Sequence, residues 1–374
     1  MNKKTKKLRR GFSTGCCCAA AAKAAYELLS SQRSAEELQV KVRLLNREEC
    51  VLSLHSIQLV SSTTAIATII KDAGDDPDVT NKMKLQVMVS FAEKTDAGTA
   101  DYLEECGSGQ IIITAAGGVG FVSRAGLNVP AGKWAINAGP RKMIKENLLL
   151  ANFYNDSVLR VCITADNGEA IAKRTLNPKL GITGGISILG TSGRVEPFSN
   201  TAYVDTIKLH LQSLKAASKT TAVFATGNLT LKKYAELSSD FEVADGIRIA
   251  DFIAEALRAA KQNRIDKVCI CCMPGKLYKY GCGYENTHAH KNELNTDLII
   301  EIVNKLWGDK QLQIKLKNCR TVKEMLELLP EEQRTTVLAK LGERALNNFR
   351  KWNDFSRLEL YLFDTTGILT AIYK

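Results

Sequence analysis

Four carboxylates, Asp72, Asp75, Asp76 and Asp78, fall within seven residues of the stretch running from Asp72 to Thr80. Turn chemistry explains one or two of them, because Asp and Gly form Asx-turns and tolerate unusual backbone angles. Mutual repulsion raises the proton affinity of at least one of the others. The loop is therefore a candidate general base, cation site or acceptor cluster. It lacks the ligand spacing of an EF-hand.

A second kind of chemistry is suggested by cations and helix starts. Gly11-Phe-Ser-Thr-Gly15 precedes an Ala/Cys helix, so Ser13 or Thr14 can cap it, and the amides of the first turn suit an anion. Arg124, Arg141 and Lys142, together with Arg194 and Glu196 of the segment GRVEP, lie beside helix starts and flexible backbone. The cations among them are candidate carboxylate grips. Gly117-Gly118-Val-Gly120 follows the apolar run QIIITA, but no helix comes next to receive a pyrophosphate. It is expected to be a glycine turn that lets a ligand approach the backbone, not a dinucleotide fingerprint.

In the second half, Thr226-Gly227-Asn228 and Pro274-Gly275-Lys276 each end an apolar run, and both loops are expected to line one crevice. The latter is no Walker A motif, since the first glycine is missing and Leu277 replaces Ser or Thr. Asn286-Thr-His288-Ala-His290 with Cys269, Cys271, Cys272 and Cys282 fits no usual zinc spacing, so no metal is assigned and His288 is read as a polar ligand-binding residue. Cys16, Cys17 and Cys18 fan out around a helix, cannot share one metal, and are expected to be small packing residues.

The elements that must hold these residues follow from periodicity. From Lys41 to Asp166, short β-branched runs alternate with Asn, Gly and Asp clusters, framed by helices at Cys16 to about Ser31, from near Pro140, and from Asn200 to Lys215. After Ala216, strand and helix patterns alternate, which argues parallel strands with crossover helices. The terminal LYLFDTTGILTAIY is expected to form two strands joined at Thr-Gly. The expected organisation is an α+β N-terminal domain over residues 1–217 and a smaller α/β domain with a parallel sheet over residues 218–374.

Size and composition agree. The 374 residues are 45% hydrophobic and 24% charged, which excludes disordered and fibrous classes. No window approaches the roughly 18 apolar residues of a membrane span. The N-terminal run of Lys3, Lys4, Lys6, Lys7, Arg9 and Arg10 is followed by polar residues before any apolar segment, so an uncleaved cytoplasmic chain with reduced thiols is expected. Fifty-one basic against 40 acidic residues give a formal charge of +11, which favours an anionic partner. Nucleic acid is the rival to a polycarboxylate, but there is no nucleic-acid motif and only 6% aromatic residues for stacking.

Several segments taken in order, GFSTGCCCAAAAKAA, DAGDDPDVT, AAGGVGFVSRAGLNVPAGKWAINAGPRKMI, ISILGTSGRVEPFS, TGN, PGKL and NTH, resemble the cobalt-precorrin-5B (C1)-methyltransferases of the anaerobic cobalamin pathway. The acidic loop and the long glycine segment are the specific parts of the match. The resemblance implies methyl transfer from S-adenosylmethionine to carbon 1 of a ring-contracted tetrapyrrole, with cobalt present only as part of the substrate. It also implies that the C-terminal domain is Rossmann-like.

On this resemblance Ser13, Thr14, Gly15, Arg124, Arg141, Lys142, Arg194 and Glu196 serve the many-armed substrate. Gly117, Gly118, Gly120, Thr226, Gly227, Asn228, Gly275, Lys276 and His288 serve the donor, and Asp75 or Asp76 steers charge as the ring carbon is alkylated. Another small-molecule transferase on the same fold is the alternative, and a homo-oligomer is left open. Cys16 stands where the family more often has threonine, Cys272 and Met273 replace its usual Gly-His, and AHKNELN after His288 departs from its continuation.

Overall fold

Along Val158–Ala165 alternate residues, Leu159, Val161, Ile163 and Ala165, are buried, and along Lys84–Ala92 the same is true of Leu85, Val87 and Val89. This period of two is what a sheet with one covered face requires. The computed structural model describes residues 8–153, 156–288 and 297–374; the basic run Lys3–Lys7 and His290 lie outside them. It divides into two compact units, Met1–Ser199 and Asn200–Lys374.

In the first unit six strands form one sheet: β1 (Ser56–Ser61), β2 (Thr64–Ile70), β3 (Lys84–Ala92), β4 (Tyr102–Cys106), β5 (Gly109–Ala115) and β6 (Val158–Ala165), in the order β1-β2-β3-β6-β5-β4. All neighbours are antiparallel except β6 and β5, where Val161 stands opposite Ile113 in parallel register. Helix α1 (Thr14–Leu29) lies against β2 and β3 and against α2 (Ala138–Leu150). Cys16, Cys17, Cys18 and the alanines of α1 are fully buried. Alanine favours the helix and, with cysteine, keeps the surface low enough for close approach on several sides.

In the second unit β7 (Thr221–Ala225), β8 (Ile247–Arg248), β9 (Lys267–Cys272), β10 (Arg357–Phe363) and β11 (Leu369–Tyr373) form a sheet in the order β8-β7-β9-β10-β11. The first four are mutually parallel and β11 is antiparallel, joined to β10 through Asp364 to Gly367. Cys269 and Cys271 are buried on one face with Tyr234, and Cys272 on the other.

The unit begins one helix earlier than the expected boundary at residue 218. Asn200–Ala216 belongs to it, because Ile207, Leu211 and Leu214 share a core with Phe224, Ile247 and Ile253. No helix of the described residues is long and apolar enough to cross a membrane.

Candidate functional site

Three of the segments singled out in the sequence meet in the first unit. Gly11–Phe12 pairs antiparallel with Arg194–Val195, and on its other side the Phe12 amide donates to the Asp72 carbonyl at 2.7 Å while Arg10 bridges Gly74. The acidic loop and the glycine segment therefore clasp the N-terminal strand between them. Gly11 has to be glycine, because a Cβ there would sit 2.0 Å from the Ala73 carbonyl carbon.

The carboxylates of the acidic loop are engaged differently. Asp72 holds the Arg9 guanidinium, with Nη2 to Oδ1 at 2.9 Å. Asp75 Oδ2 accepts the Arg9 amide at 2.7 Å, and Asp76 Oδ1 accepts the Phe198 amide at 3.1 Å. Asp78 pairs with buried Lys71 at 2.7 Å.

The start of α1 is occupied from within. Ser13 Oγ accepts from the Cys16 amide at 3.1 Å, the Gly15 amide donates to Leu189 O at 3.0 Å, and Thr14 Oγ1 accepts the Leu189 amide at 2.9 Å. Ser13 and Thr14 are buried. Gly15 faces Pro140 of α2, and a Cβ on Gly139 would lie 2.6 Å from Gly190 O, so the start of α2 lies beside the same loop.

Three of the four expected cations have carboxylate partners in the chain. Arg141 pairs with Glu104 and lies 4.1 Å from the Tyr102 ring centroid; Arg194 pairs with Glu48 and lies 4.5 Å from that of Phe12. The Arg194 guanidinium holds Glu48 below the usual carboxylate range. Glu196 takes Arg10 at 2.9 Å. Lys142 is largely exposed, 3.8 Å from Glu146, and exposed Arg124 packs its stem over Gly181.

A cleft of about 530 Å³ lies elsewhere in this unit, at the carboxyl end of β6. Gly117, Gly118, Asp166, Gly168, Glu169 and Lys173 are among its lining. A second hollow of about 390 Å³, with His55, Lys84 and Gln86, shares Thr164 and Asp166 with it. Gly118 is fixed by packing, with φ +82° and Ala165 O where a Cβ would go, whereas at Gly117 a Cβ would meet no atom within 4 Å. Gly120 abuts Ile182 and Gly185. The acidic loop and the Arg141 and Arg194 pairs do not line either hollow.

In the second unit the carboxyl ends of the parallel strands carry the other predicted loops. From β7 the chain passes to β8 on one side, then to β9 on the other, so the direction of travel reverses between β7 and β9. Such a switch point opens a crevice beyond the strand ends. Thr226-Gly227-Asn228 leaves β7 and Pro274-Gly275-Lys276 leaves β9, on either side of it. Helices α3 (Asn228–Leu237) and α4 (Pro274–Gly281) start there, and neither has a side-chain N-cap. A Cβ at Gly227 or Gly275 would meet nothing within 4 Å, so packing does not explain these glycines and an occupant would fit against them.

Asp251, just past β8, joins the same edge. Its Oδ1 accepts from Lys276 Nζ and from Thr287 Oγ1 at 2.7 Å, while Lys279 Nζ donates to Thr287 O at 2.7 Å. Burial pushes Asp251 up, but the hydrogen bonds from Lys276 and Thr287 outweigh it and hold the carboxyl below its usual range. Burial and the nearby Lys276 charge lower Lys279, with Asp251 opposing. His288 is exposed, its amide bonded to Asn286 Oδ1 at 3.0 Å. Sequence reasoning missed Asp251, Thr287 and Lys279. The available signal was the spacing from Gly227 to the carboxylate after the next strand.

Fold and site together define a mixed α/β protein whose second unit carries glycine loops at the switch point of a parallel sheet and whose first unit carries a cleft lined by Asp166, Glu169 and Lys173. The CbiD family model matches residues 1–197, and the model of the CbiD C-terminal domain matches residues 286–372. Proteins named cobalt-precorrin-5B C(1)-methyltransferase are similar over most of their length. That of Picrophilus torridus is 31% identical over 96% of this chain and 98% of its own; that of Geotalea daltonii is 34% identical over 86% of each; that of Rubrobacter xylanophilus is 36% identical over 86% and 80%. A crystal structure of the cobalamin biosynthesis protein (cbiD) from Archaeoglobus fulgidus is 26% identical, covering 76% of this chain and 83% of that one, with a TM-score of 0.38. The chain belongs to the CbiD family.

Proposed function

We propose that this protein methylates carbon 1 of cobalt-precorrin-5B with S-adenosylmethionine as donor, in the anaerobic route to cobalamin. The observation that carries this reading is the similarity, over nearly the whole chain, to proteins bearing that activity's name. The second unit is Rossmann-like on this reading, and its switch-point edge takes the donor through Thr226, Gly227, Asn228, Gly275 and Lys276, with His288 beside them. The residues fit such a group: two glycines leave open space, and two uncapped helix starts offer amides to a carboxylate. When bound, the donor supplies a methyl sulfonium, which is already a strong electrophile.

The chain then has to orient and exclude water, holding the reacting atoms about 3–3.5 Å apart, and no nucleophilic side chain is needed. The first unit grips the carboxylate arms through Arg124, Arg141, Lys142 and Arg194. Glu196 and the loop fixed by Ser13, Thr14 and Gly15 shape that surface, and Gly117 leaves backbone open to a ligand while the closely packed Gly118 and Gly120 hold the turn in place. Asp75 or Asp76 accepts a proton or steers charge at the ring carbon. Incubation with methyl-labelled S-adenosylmethionine and the cobalt precorrin is expected to yield a corrinoid heavier by one labelled methyl. A corrinoid that stays unlabelled while the donor is intact overturns the assignment.

A further inference from the structure

Asp251 is placed and fixed in a way that the reaction's gross requirements do not explain. β7 and β8 are parallel neighbours with Ala225 opposite Arg248, so the chain leaves both strands at one level. Beyond β7 come Gly227 and the start of α3; beyond β8 comes Asp251, 24 residues further along (251 − 227). In dinucleotide-binding sheets with a G-x-G-x-x-G loop, an acidic residue roughly 20 residues further on accepts a hydrogen bond from the ribose; Thr226-Gly227-Asn228 is not that fingerprint, but Asp251 holds the corresponding place past the neighbouring parallel strand. Here that acid is aimed from a constrained backbone, since the preceding Ala250 has φ +44°, in the left-handed region a residue with a Cβ rarely adopts.

The carboxylate is also held from across the switch point. Lys276, on α4, donates both to Asp251 Oδ1 and to Thr287 Oγ1, the latter at 2.6 Å. Thr287 is 1% exposed, donates its hydroxyl to Asp251 Oδ1, and donates its amide to the Asp251 carbonyl at 3.0 Å. Asp251 itself keeps 24% of its side-chain surface open. A surface ion pair needs no buried threonine to brace it, and a purely structural one would be closed to solvent. The arrangement is that of an acceptor kept charged and immobile while one side stays reachable.

We propose that Asp251, positioned by Lys276 and Thr287, accepts the ribose 2′- and 3′-hydroxyls of the donor, so that an intact diol is a condition of tight binding. This rests on the donor occupying the switch-point edge and names the group that reads its sugar. Lys276 and Thr287 both donate to Oδ1, so Oδ2 is the oxygen that receives the diol's donors, and hydrogen bonds to a charged acceptor are the strong kind.

The test is calorimetric titration of the full chain with S-adenosylhomocysteine and with its 2′,3′-dideoxy analogue. The wild-type chain is expected to bind the diol ligand on the order of 100-fold more tightly, since a site built for a hydroxyl rejects an analogue lacking it. Asp251→Asn is expected to lose on the order of tenfold for the diol ligand and to bind the dideoxy analogue as the wild type does. Equal wild-type affinities overturn the inference without any variant, and an equal loss for both ligands in Asp251→Asn assigns the residue to structure instead. Either result leaves the donor site standing, because S-adenosylhomocysteine still binds. Failure of the wild type to bind it at all overturns the donor site and this inference with it.

Discussion

Lys71 is 1% exposed and its ammonium meets Asp78 at 2.7 Å, at the end of the strand that leads into the acidic loop. Asp78 also accepts the Thr80 hydroxyl and amide. Removing one partner strands the other charge in a buried place, so Asp78→Ala is expected to cost about 3 kcal/mol, read as a lower urea midpoint of the first unit. Burial pushes Asp78 up, but the Lys71 charge and the Lys71 and Thr80 hydrogen bonds outweigh it, leaving its pKa below the usual carboxylate value. A depressed folded pKa means the stabilisation is complete above the ordinary carboxylate range and is lost as pH falls through and below that range. Acid unfolding of Asp78→Asn is accordingly expected to be less steep than that of the wild type, and identical acid limbs refute the linkage. Asp75 and Asp76 differ from Asp78, since each meets a backbone amide and not a lysine. If either accepts a proton during alkylation, its Asn variant slows single-turnover methylation by roughly 10²–10⁴-fold. Normal rates in both variants end that role.

At the scale of elements, the crossing of α1 and α2 depends on one missing side chain. A Cβ on Gly15 would stand 2.6 Å from Pro140 Cγ and 3.1 Å from Leu189 O. Replacing a helical glycine by alanine gains roughly 1 kcal/mol of propensity, whereas overpacking typically costs 1–3 kcal/mol. Two of the clashing atoms belong to a stiff ring and a backbone carbonyl, so the overpacking term is expected to prevail and Gly15→Ala to melt earlier, as differential scanning calorimetry can show. That an Ala/Cys helix would be buried, and that VLRVCITA and QIIITA would be strands, was legible because burial imprints a period on the residues themselves. Partnership leaves no such imprint. Arg141 and Arg194 read as free carboxylate grips, yet Glu104 and Glu48 reach them from 37 and 146 residues away. Asp251 was hard to place because the strand before it is only Ile247–Arg248, too short to alternate, which left its spacing from Gly227 as the one signal. Asn200–Ala216 was recognisable as a helix, but an amphipathic face does not say which core it joins, and the boundary moved with it.

For the whole molecule, those internal pairs change what the net charge means. Arg9 with Asp72, Arg10 with Glu196, Arg141 with Glu104 and Arg194 with Glu48 are neutral as pairs, so the formal +11 resides on other basic residues. Attraction of a many-armed carboxylate is then largely a summed field and only partly a set of bidentate grips. A field acting through solvent is screened over about 10 Å at 0.1 M salt and about 3 Å at 1 M, while hydrogen bonds made in a crevice are screened far less. Raising salt across that range is therefore expected to raise KM for the tetrapyrrole on the order of tenfold. KM for S-adenosylmethionine, which carries charges of both signs and on the proposed reading binds at short range beside Asp251, should change much less. Equal salt dependence of the two constants would mean that the basic surface does not recruit the substrate, and that the partnered arginines must open to bind it directly.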